Sequence, residues 1–86
     1  MWQVYILKCA DRTFYTGITT DVKRRVREHN DSVLGAKYTR GRRPVKLVYS
    51  RKMKNKSLAA KDECRIKKMS RQEKIKLIKY KILVAK

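Results

Sequence analysis

Two tyrosines, an arginine and a glutamate have side chains that can do chemistry, and they follow one another along the chain as Tyr5, Tyr15, Arg25 and Glu63. An arginine presents a planar fork of donors that keeps its charge and suits a phosphate. A glutamate oxygen suits a hard divalent cation. A tyrosine has an ordinary pKa of about 10, so it accepts a proton only where positive charge favours its phenolate. Together these groups could activate water, neutralise a phosphate and hold a metal, as phosphodiester hydrolysis requires.

Each of these residues also has a plain structural interpretation. Tyrosines are common packing residues in strands, and Arg25 lies in a basic stretch where most side chains face solvent. Glu63 can form an ion pair with Lys67 one helical turn away. His29, four residues after Arg25, is either a phosphate contact, an alternative base or a helix-end histidine favoured by the helix dipole.

The charge of the chain points to an anionic partner. Lys and Arg number 25 against 7 Asp and Glu, a formal net charge of +18. Self-repulsion at that density destabilises a small fold unless a polyanion neutralises it, and nucleic acid does so with release of counterions. The apolar runs at 4–7 and 82–85 are too short to span a bilayer, and no charged leader precedes the first segment. We expect a cytoplasmic protein that binds nucleic acid and no membrane.

The hydrophobic pattern predicts a single domain over residues 1–86 with an α/β fold of the α+β type. A small three-stranded antiparallel sheet is flanked by helices in the order β-β-α-β-α-α. Strands are predicted over 2–8, 14–18 and 45–49, the first buried on both faces and paired with the second as a hairpin. Residues 32–43 contain two glycines and little periodicity, which predicts a loop.

Helix starts are marked by capping residues. Oxygens at 19–21 precede a helix over 22–30, and Asn55 with its neighbours precedes one over 58–69. Ser70 and Glu73 have the spacing of a capping box. A last helix follows, with a stripe formed by Ile75, Ile78 and Ile82.

The cysteines and the single histidine exclude a structural zinc site, because they supply too few ligands. Cys9 and Cys64 are expected to be reduced and packed, since a disulfide is uncommon in a cytosolic chain.

The ordered set of motifs resembles the GIY-YIG endonuclease family, in its short, single-domain branch. Val4-Tyr5 stands where the family has its first motif, and Tyr15-Thr16-Gly17 stands where it has the second. Arg25 follows Tyr15 by ten positions, and His29 matches an aromatic or histidine position that often follows the arginine. Glu63 lies where the family has its metal-binding glutamate. The similarity covers nearly the whole chain.

This resemblance implies a metal-dependent endonuclease acting on DNA or RNA, with DNA the more probable substrate. Glu63 would hold one Mg²⁺ or Mn²⁺ largely through water. One tyrosine would help to activate the attacking water, and Arg25 would neutralise charge on the phosphate. With no recognition domain attached, we expect either weak specificity or a protein partner that supplies it.

The chain departs from the family pattern in three places. Gln3 replaces the glycine of the first motif, Thr16 replaces the isoleucine of the second, and no asparagine after Arg71 matches the one that many members have near the metal. A non-catalytic nucleic-acid-binding module on the same scaffold is therefore the alternative. An adaptor that binds an acidic protein or membrane face through the lysine-rich last helix is a further one.

A basic loop is the predicted nucleic-acid-binding surface. Long cations follow a phosphate backbone, and an aromatic ring stacks on an unpaired base. A solvated loop kept basic for solubility is the alternative. The residues assigned to binding are Lys37, Tyr38, Arg40, Arg42 and Arg43, with Lys46 beside them.

Overall fold

A computed structural model describes residues 1–31 and 35–84, with no account of the side chains at 82–84. The strands and helices follow the predicted order, and the predicted fold class is confirmed. The elements are β1 (Trp2–Lys8), β2 (Phe14–Thr19), α1 (Val22–Asp31), α2 (Lys37–Arg40), β3 (Lys46–Met53), α3 (Lys56–Lys67) and α4 (Arg71–Val84).

The sheet has the strand order β2-β1-β3, and both pairings are antiparallel. The central strand β1 is buried on both faces, as predicted, because alternate side chains enter two separate clusters. Val4 and Ile6 belong to one cluster with Ile66 of α3 and Ile78 of α4. Tyr5 and Leu7 belong to the other. Side chains of β1 that are one residue apart therefore meet different helices.

The capping predictions are confirmed at all three helix starts. The carboxylate of Asp21 accepts from the Arg24 backbone N–H at 3.1 Å, and Asn55 Oδ1 accepts from that of Leu58 at 2.9 Å. Ser70 and Glu73 form the reciprocal capping box, with the Ser70 N–H donating to Glu73 Oε1 and the Glu73 N–H to Ser70 Oγ. Each helix start thus fixes the register of the helix that follows.

Three details differ from the predictions. The loop at 32–43 contains the one-turn helix α2, although residues 32–34 lie outside the described part of the chain. Strand β3 runs four residues beyond its predicted end, because Trp2, Gln3 and Val4 of β1 pair with Met53, Lys52 and Arg51. Cys9 is buried as expected, but Cys64 is exposed, since α3 turns 59, 62 and 66 inward instead.

The structure describes two of the three isoleucine side chains that form the predicted apolar stripe of α4. Ile78 is buried and Ile75 is half-buried, which agrees with the stripe. Ile82 has a side chain outside the described part of the chain. No helix in the described ranges is long and apolar enough to cross a bilayer.

Candidate active site

The Tyr5 side chain lies across β2 at a position where that strand has no side chain of its own. Tyr5 pairs with Gly17 in the β1–β2 register. A Cβ atom added at Gly17 would lie 2.6 Å from Tyr5 Oη and 2.8 Å from Cζ, far inside van der Waals contact. Glycine is therefore required here by the close approach of a side chain, and Tyr5 is 1% exposed beneath it.

The Tyr5 hydroxyl is hydrogen-bonded to a fully buried histidine of α1. Tyr5 Oη lies 2.9 Å from His29 Nε2, and His29 Nδ1 lies 2.9 Å from Thr39 Oγ1 of α2. The Thr39 hydroxyl donates its own hydrogen to the Ala36 carbonyl oxygen, at 2.9 Å. Since a hydroxyl has one hydrogen, we assign the His29 proton to Nδ1, which donates to Thr39. The Ala36 backbone N–H, which would need Nδ1 to accept, lies farther from it, at 3.4 Å. Nε2 is then left to accept from Tyr5.

Burial sets the protonation of both groups. It raises the pKa of Tyr5 to about 12, against the lowering effect of a hydrogen bond with Arg25. Burial, with the positive charge of Arg25, lowers the pKa of His29 to about 4. Both side chains are neutral at physiological pH, which agrees with a phenol donating to an imidazole. Nearby positive charge does not produce a phenolate at Tyr5, because desolvation outweighs the effect of the arginine.

Arg25 of α1 joins this cluster. Its guanidinium hydrogen-bonds with Tyr5 and donates through Nη1 to Glu28 Oε1 at 2.9 Å. The side chain is 25% exposed, so one edge of it still meets solvent. Arg25 is thus not a solvated face residue; it joins the buried tyrosine to the surface.

Glu63 approaches from α3, which contacts both β1 and β2. Its negative charge makes the smallest of the contributions to the shifted pKa of Tyr5. The side chain is 23% exposed and forms the predicted ion pair with Lys67, Nζ to Oε2 at 3.3 Å. Of its apolar neighbours on α3, Ala59 and Ile66 are buried and Ala60 is exposed.

A metal at this position would have one carboxylate as its protein ligand. The described part of the chain contains no group of three or more His, Cys, Asp or Glu residues able to hold an ion. Mg²⁺ retains several waters and is often held by one or two carboxylates together with substrate phosphates, so Glu63 fits such an ion. The competing pair with Lys67, whose side chain is 56% exposed, is solvated and contributes little.

Tyr15 is the half-buried phenol of the site. Its ring centroid lies 5.0 Å from that of His29 and 6.4 Å from that of Tyr5. On its outer side the ring of Tyr38 lies 5.9 Å away. Tyr15 therefore occupies the boundary between the enclosed Tyr5–His29 pair and the surface.

The predicted binding loop borders this boundary. Tyr38 carries the Arg42 guanidinium 4.1 Å above its ring, and Arg42 Nε also pairs with Asp11 Oδ2 at 2.9 Å. Arg43 Nε donates to the His29 carbonyl. Lys37 and Arg40 are exposed on α2, and Lys46 is exposed at the start of β3. Arg42 and Arg43 thus hold the loop in place as well as contributing charge.

Three supporting residues had no signal in the sequence. Thr39 is fully buried against His29, and Glu28 pairs with Arg25. Asn30 exchanges two hydrogen bonds with the Val45 backbone, at 2.7 and 3.1 Å, which ties the end of α1 to the start of β3. Polar residues at helix ends and in loops are usually solvated, and only the tertiary fold shows that Thr39 is buried and that Glu28 and Asn30 are half-buried.

The fold and this grouping of side chains define a class of catalytic domain. The model of the GIY-YIG catalytic domain family matches residues 1–76, and the chain belongs to that family. The family indicates a nuclease-like function and nucleic acid as the partner, and its nucleases are generally metal-dependent. The resemblance drawn from the tyrosine, arginine and glutamate spacing is confirmed.

Within the family, the chain is similar to stand-alone proteins named UPF0213. One from Desulfotalea psychrophila is 54% identical over 78 residues, which cover 91% of this chain and 71% of the relative. A solution structure of a UPF0213 protein from Bacillus halodurans is 46% identical, with a TM-score of 0.61, covering 94% of this chain and 86% of that one. A second, from E. faecalis, is 42% identical with a TM-score of 0.64, covering 94% and 85%.

We expect Gly17→Ala to destabilise the fold by displacing Tyr5. The added methyl group would overlap the rigid phenol, and overpacking of this kind typically costs about 1–3 kcal/mol. Gly41→Ala is the matched control, because nothing lies within 4 Å of its Cβ position and its φ is −88°. Urea unfolding of both variants checks this. Equal free energies of unfolding would contradict the proposed role of Gly17.

We expect stability to fall on acidification between pH 6.5 and 4. The folded state holds His29 at a pKa of about 4 against 6.5, so the unfolded chain binds more protons in that window and stability rises with pH through it. The full difference is roughly 3 kcal/mol. Urea unfolding measured across this pH range should give a flatter dependence for His29→Gln than for the wild type. The same slope in both proteins would show that His29 does not titrate as stated.

Proposed function

We propose that residues 1–86 form a nuclease domain that hydrolyses phosphodiester bonds of DNA, using one Mg²⁺ or Mn²⁺ held by Glu63. The observation that supports the proposal is the grouping of five side chains from three parts of the chain. Tyr15 and Arg25 contact the buried Tyr5–His29 pair, and the charge of Glu63 acts on Tyr5. The family supports nuclease chemistry, and the preference for DNA over RNA rests on the resemblance to its endonucleases.

We assign to Arg25 the role of stabilising the charge that develops on the scissile phosphate. Its charge is fixed, and its hydrogen bonds with Tyr5 and Glu28 restrict the guanidinium to one orientation. A donor held in place before the reaction stabilises developing charge without reorganising. One exposed edge leaves Arg25 accessible to a substrate.

The water-activating tyrosine is assigned to Tyr15. Tyr5 is enclosed, and its hydroxyl is directed at His29, so it does not meet solvent. Tyr15 is half-buried and borders both His29 and Tyr38. Tyr5 and His29 are then positioning residues, which hold Arg25 and the Tyr15 ring in place.

Glu63 is the residue that would hold the metal. When bound, the ion supplies charge stabilisation for the leaving oxygen. Glu63 contributes one anionic oxygen at the edge of the cluster, and its exposed partner Lys67 can move to solvent or to the nucleic acid backbone.

We assign to the loop around α2 the role of binding the phosphate backbone of the nucleic acid. Lys37, Arg40, Arg42 and Arg43 supply charge, and Tyr38 supplies a ring next to Tyr15. Contacts to phosphates position a nucleic acid without reading its sequence. We therefore propose that any sequence or structure specificity comes from a protein partner.

A non-catalytic nucleic-acid-binding module is the second candidate. It is favoured by the pairing of Glu63 with Lys67 and by the absence of an asparagine after Arg71. Such a module would bind with the same salt dependence, because that depends on phosphate contacts alone.

We expect Glu63→Gln to lower cleavage at least about 100-fold, since removal of even an outer-shell group of a metal site typically costs 10- to 100-fold. The rate of cleavage of labelled DNA in Mg²⁺ or Mn²⁺ measures this, and fluorescence anisotropy should show binding retained. Glu73→Gln is the matched control. It removes the same charge at an exposed carboxylate of the α4 capping box, away from the site.

Equal cleavage by the Glu63 and Glu73 variants would remove Glu63 from the metal site. If the wild type cuts neither DNA nor RNA with either ion and still binds them, the non-catalytic module is the correct assignment.

We expect the two tyrosines to differ when each is changed to phenylalanine. Tyr15→Phe should lower kcat about 10²- to 10⁴-fold, the usual contribution of a proton acceptor, with stability unchanged. Tyr5→Phe should also destabilise the fold by about 1–3 kcal/mol, because it leaves His29 Nε2 buried and unpaired. Single-turnover kinetics and urea unfolding separate the two effects. A Tyr15→Phe enzyme with full activity would contradict the assignment.

A further inference from the structure

A second cleft lies between β3 and the C-terminal half of α4. It has a volume of about 330 Å³ and is lined by Tyr49, Arg51, Leu77, Tyr80 and Lys81. That volume is at the lower end of the range for small-ligand sites. A shallower depression along β3 shares Tyr49 and Lys81 with it and extends to Leu47. We call the two together the β3–α4 groove.

The β3–α4 groove lies on the opposite face of the sheet from the site tyrosines. Tyr49 pairs with Ile6 across the β1–β3 register, and directly paired residues share a face. Tyr5, adjacent to Ile6 on β1, points to the other face. The two core clusters divide in the same way, with Tyr49 in one and Tyr5 in the other. The groove is therefore not part of the candidate active site.

The groove combines aromatic rings with cations. Tyr80 is 65% exposed, an unusual amount for a tyrosine that lines a cleft. Lys81 Nζ lies 5.2 Å from the centroid of the Tyr49 ring, and Arg51 hydrogen-bonds with the Tyr49 side chain. None of the groove's described lining residues is acidic.

Among the described residues, the carboxylate that acts on Tyr49 is Asp62, and it does not change this balance. Burial raises the pKa of Tyr49, and the negative charge of Asp62 raises it further. The Asp62 residue itself, however, is only 8% exposed. Its Oδ1 is paired with Arg65 Nη2 at 2.7 Å. The accessible surface of the groove is cationic and aromatic.

We propose that the β3–α4 groove binds a segment of single-stranded nucleic acid outside the cleavage site. Arg51 and Lys81 contact its phosphates, and Tyr80 stacks on an unpaired base. A second copy of this chain fits poorly, because each copy carries a formal charge of +18 and like fields repel. The inference rests on the proposed function in taking nucleic acid as the partner, but it does not require cleavage.

Tyr80 provides the first test. With Glu63→Gln as the background to prevent cleavage, binding of fluorescein-labelled oligothymidine is followed by anisotropy. Tyr80→Ala should weaken binding about 5- to 150-fold, which corresponds to the loss of one base–aromatic stack. Tyr80→Phe keeps the ring and should bind like the background protein. Thermal unfolding verifies that each variant is folded.

Two lysines of α4 provide a matched pair. Lys81 lines the groove, whereas Lys79 lines a different depression with Phe14 and Ile75. Lys81→Ala should lower the slope of log K against log salt by about 0.7, the loss of one contact to a single strand. Lys79→Ala removes the same charge from the same helix and should leave the slope nearly unchanged.

Three results would overturn the proposal. The first is unchanged binding in Tyr80→Ala, and the second is an equal change of slope for both lysine variants, which would indicate a diffuse field. The third is that polyglutamate binds as tightly as the oligonucleotide and loses affinity in Tyr80→Ala, which would assign the groove to an acidic protein.

The failure of the nuclease proposal can be told apart from the failure of this one. If the wild type cuts no nucleic acid while the Tyr80 and Lys81 effects on binding hold, the groove is supported and the enzyme assignment fails. If cleavage is normal and the groove variants leave KM and binding unchanged, the enzyme assignment holds and the groove proposal is wrong.

Discussion

The hydrogen bond between the Tyr5 hydroxyl and His29 Nε2 is the contact on which the site depends. It joins the central strand to α1, and the bond from His29 to Thr39 extends the connection to α2. All three side chains are fully buried or nearly so, where an unpaired polar group costs about 1–3 kcal/mol. Gly17 leaves the space that the Tyr5 ring occupies. The glycine of the Tyr15-Thr16-Gly17 motif is thus required for the position of Tyr5, the tyrosine of the other motif.

The sequence predicted the fold closely where periodicity and capping chemistry are local. The β1–β2 hairpin and the starts of α3 and α4 depend on neighbouring residues, and each was predicted within about two residues. The far end of β3 was not, because Ser50, Arg51 and Lys52 lack alternation and are a strand only through pairing with β1. The helix α2 is a single turn, too short to have a periodic signal.

The candidate site was predictable in membership but not in electrostatics. The motif spacing selected Tyr5, Tyr15, Arg25, His29 and Glu63, and the fold brings these residues close together. The sequence gives no measure of desolvation, and the abundance of cations alone would favour a phenolate. The burial of Tyr5 outweighs that effect, and it depends on the space at Gly17 and on α1 packing against the same ring. Thr39 and Asn30 were missed for the same reason.

Binding of a polyanion would raise the pKa of both members of the Tyr5–His29 pair. Arg25 lowers the pKa of Tyr5 and, together with Arg43, that of His29. Phosphates placed against these arginines would offset their charge. The pKa of Tyr5 would then rise further from about 12, and that of His29 would rise from about 4 toward its ordinary value of about 6.5. Tyr5 would remain protonated in the complex as it is without one, because its pKa lies far above physiological pH. A buried, permanently neutral phenol can orient its neighbours but cannot accept the proton of water, and this is why the chemistry is assigned to the half-buried Tyr15.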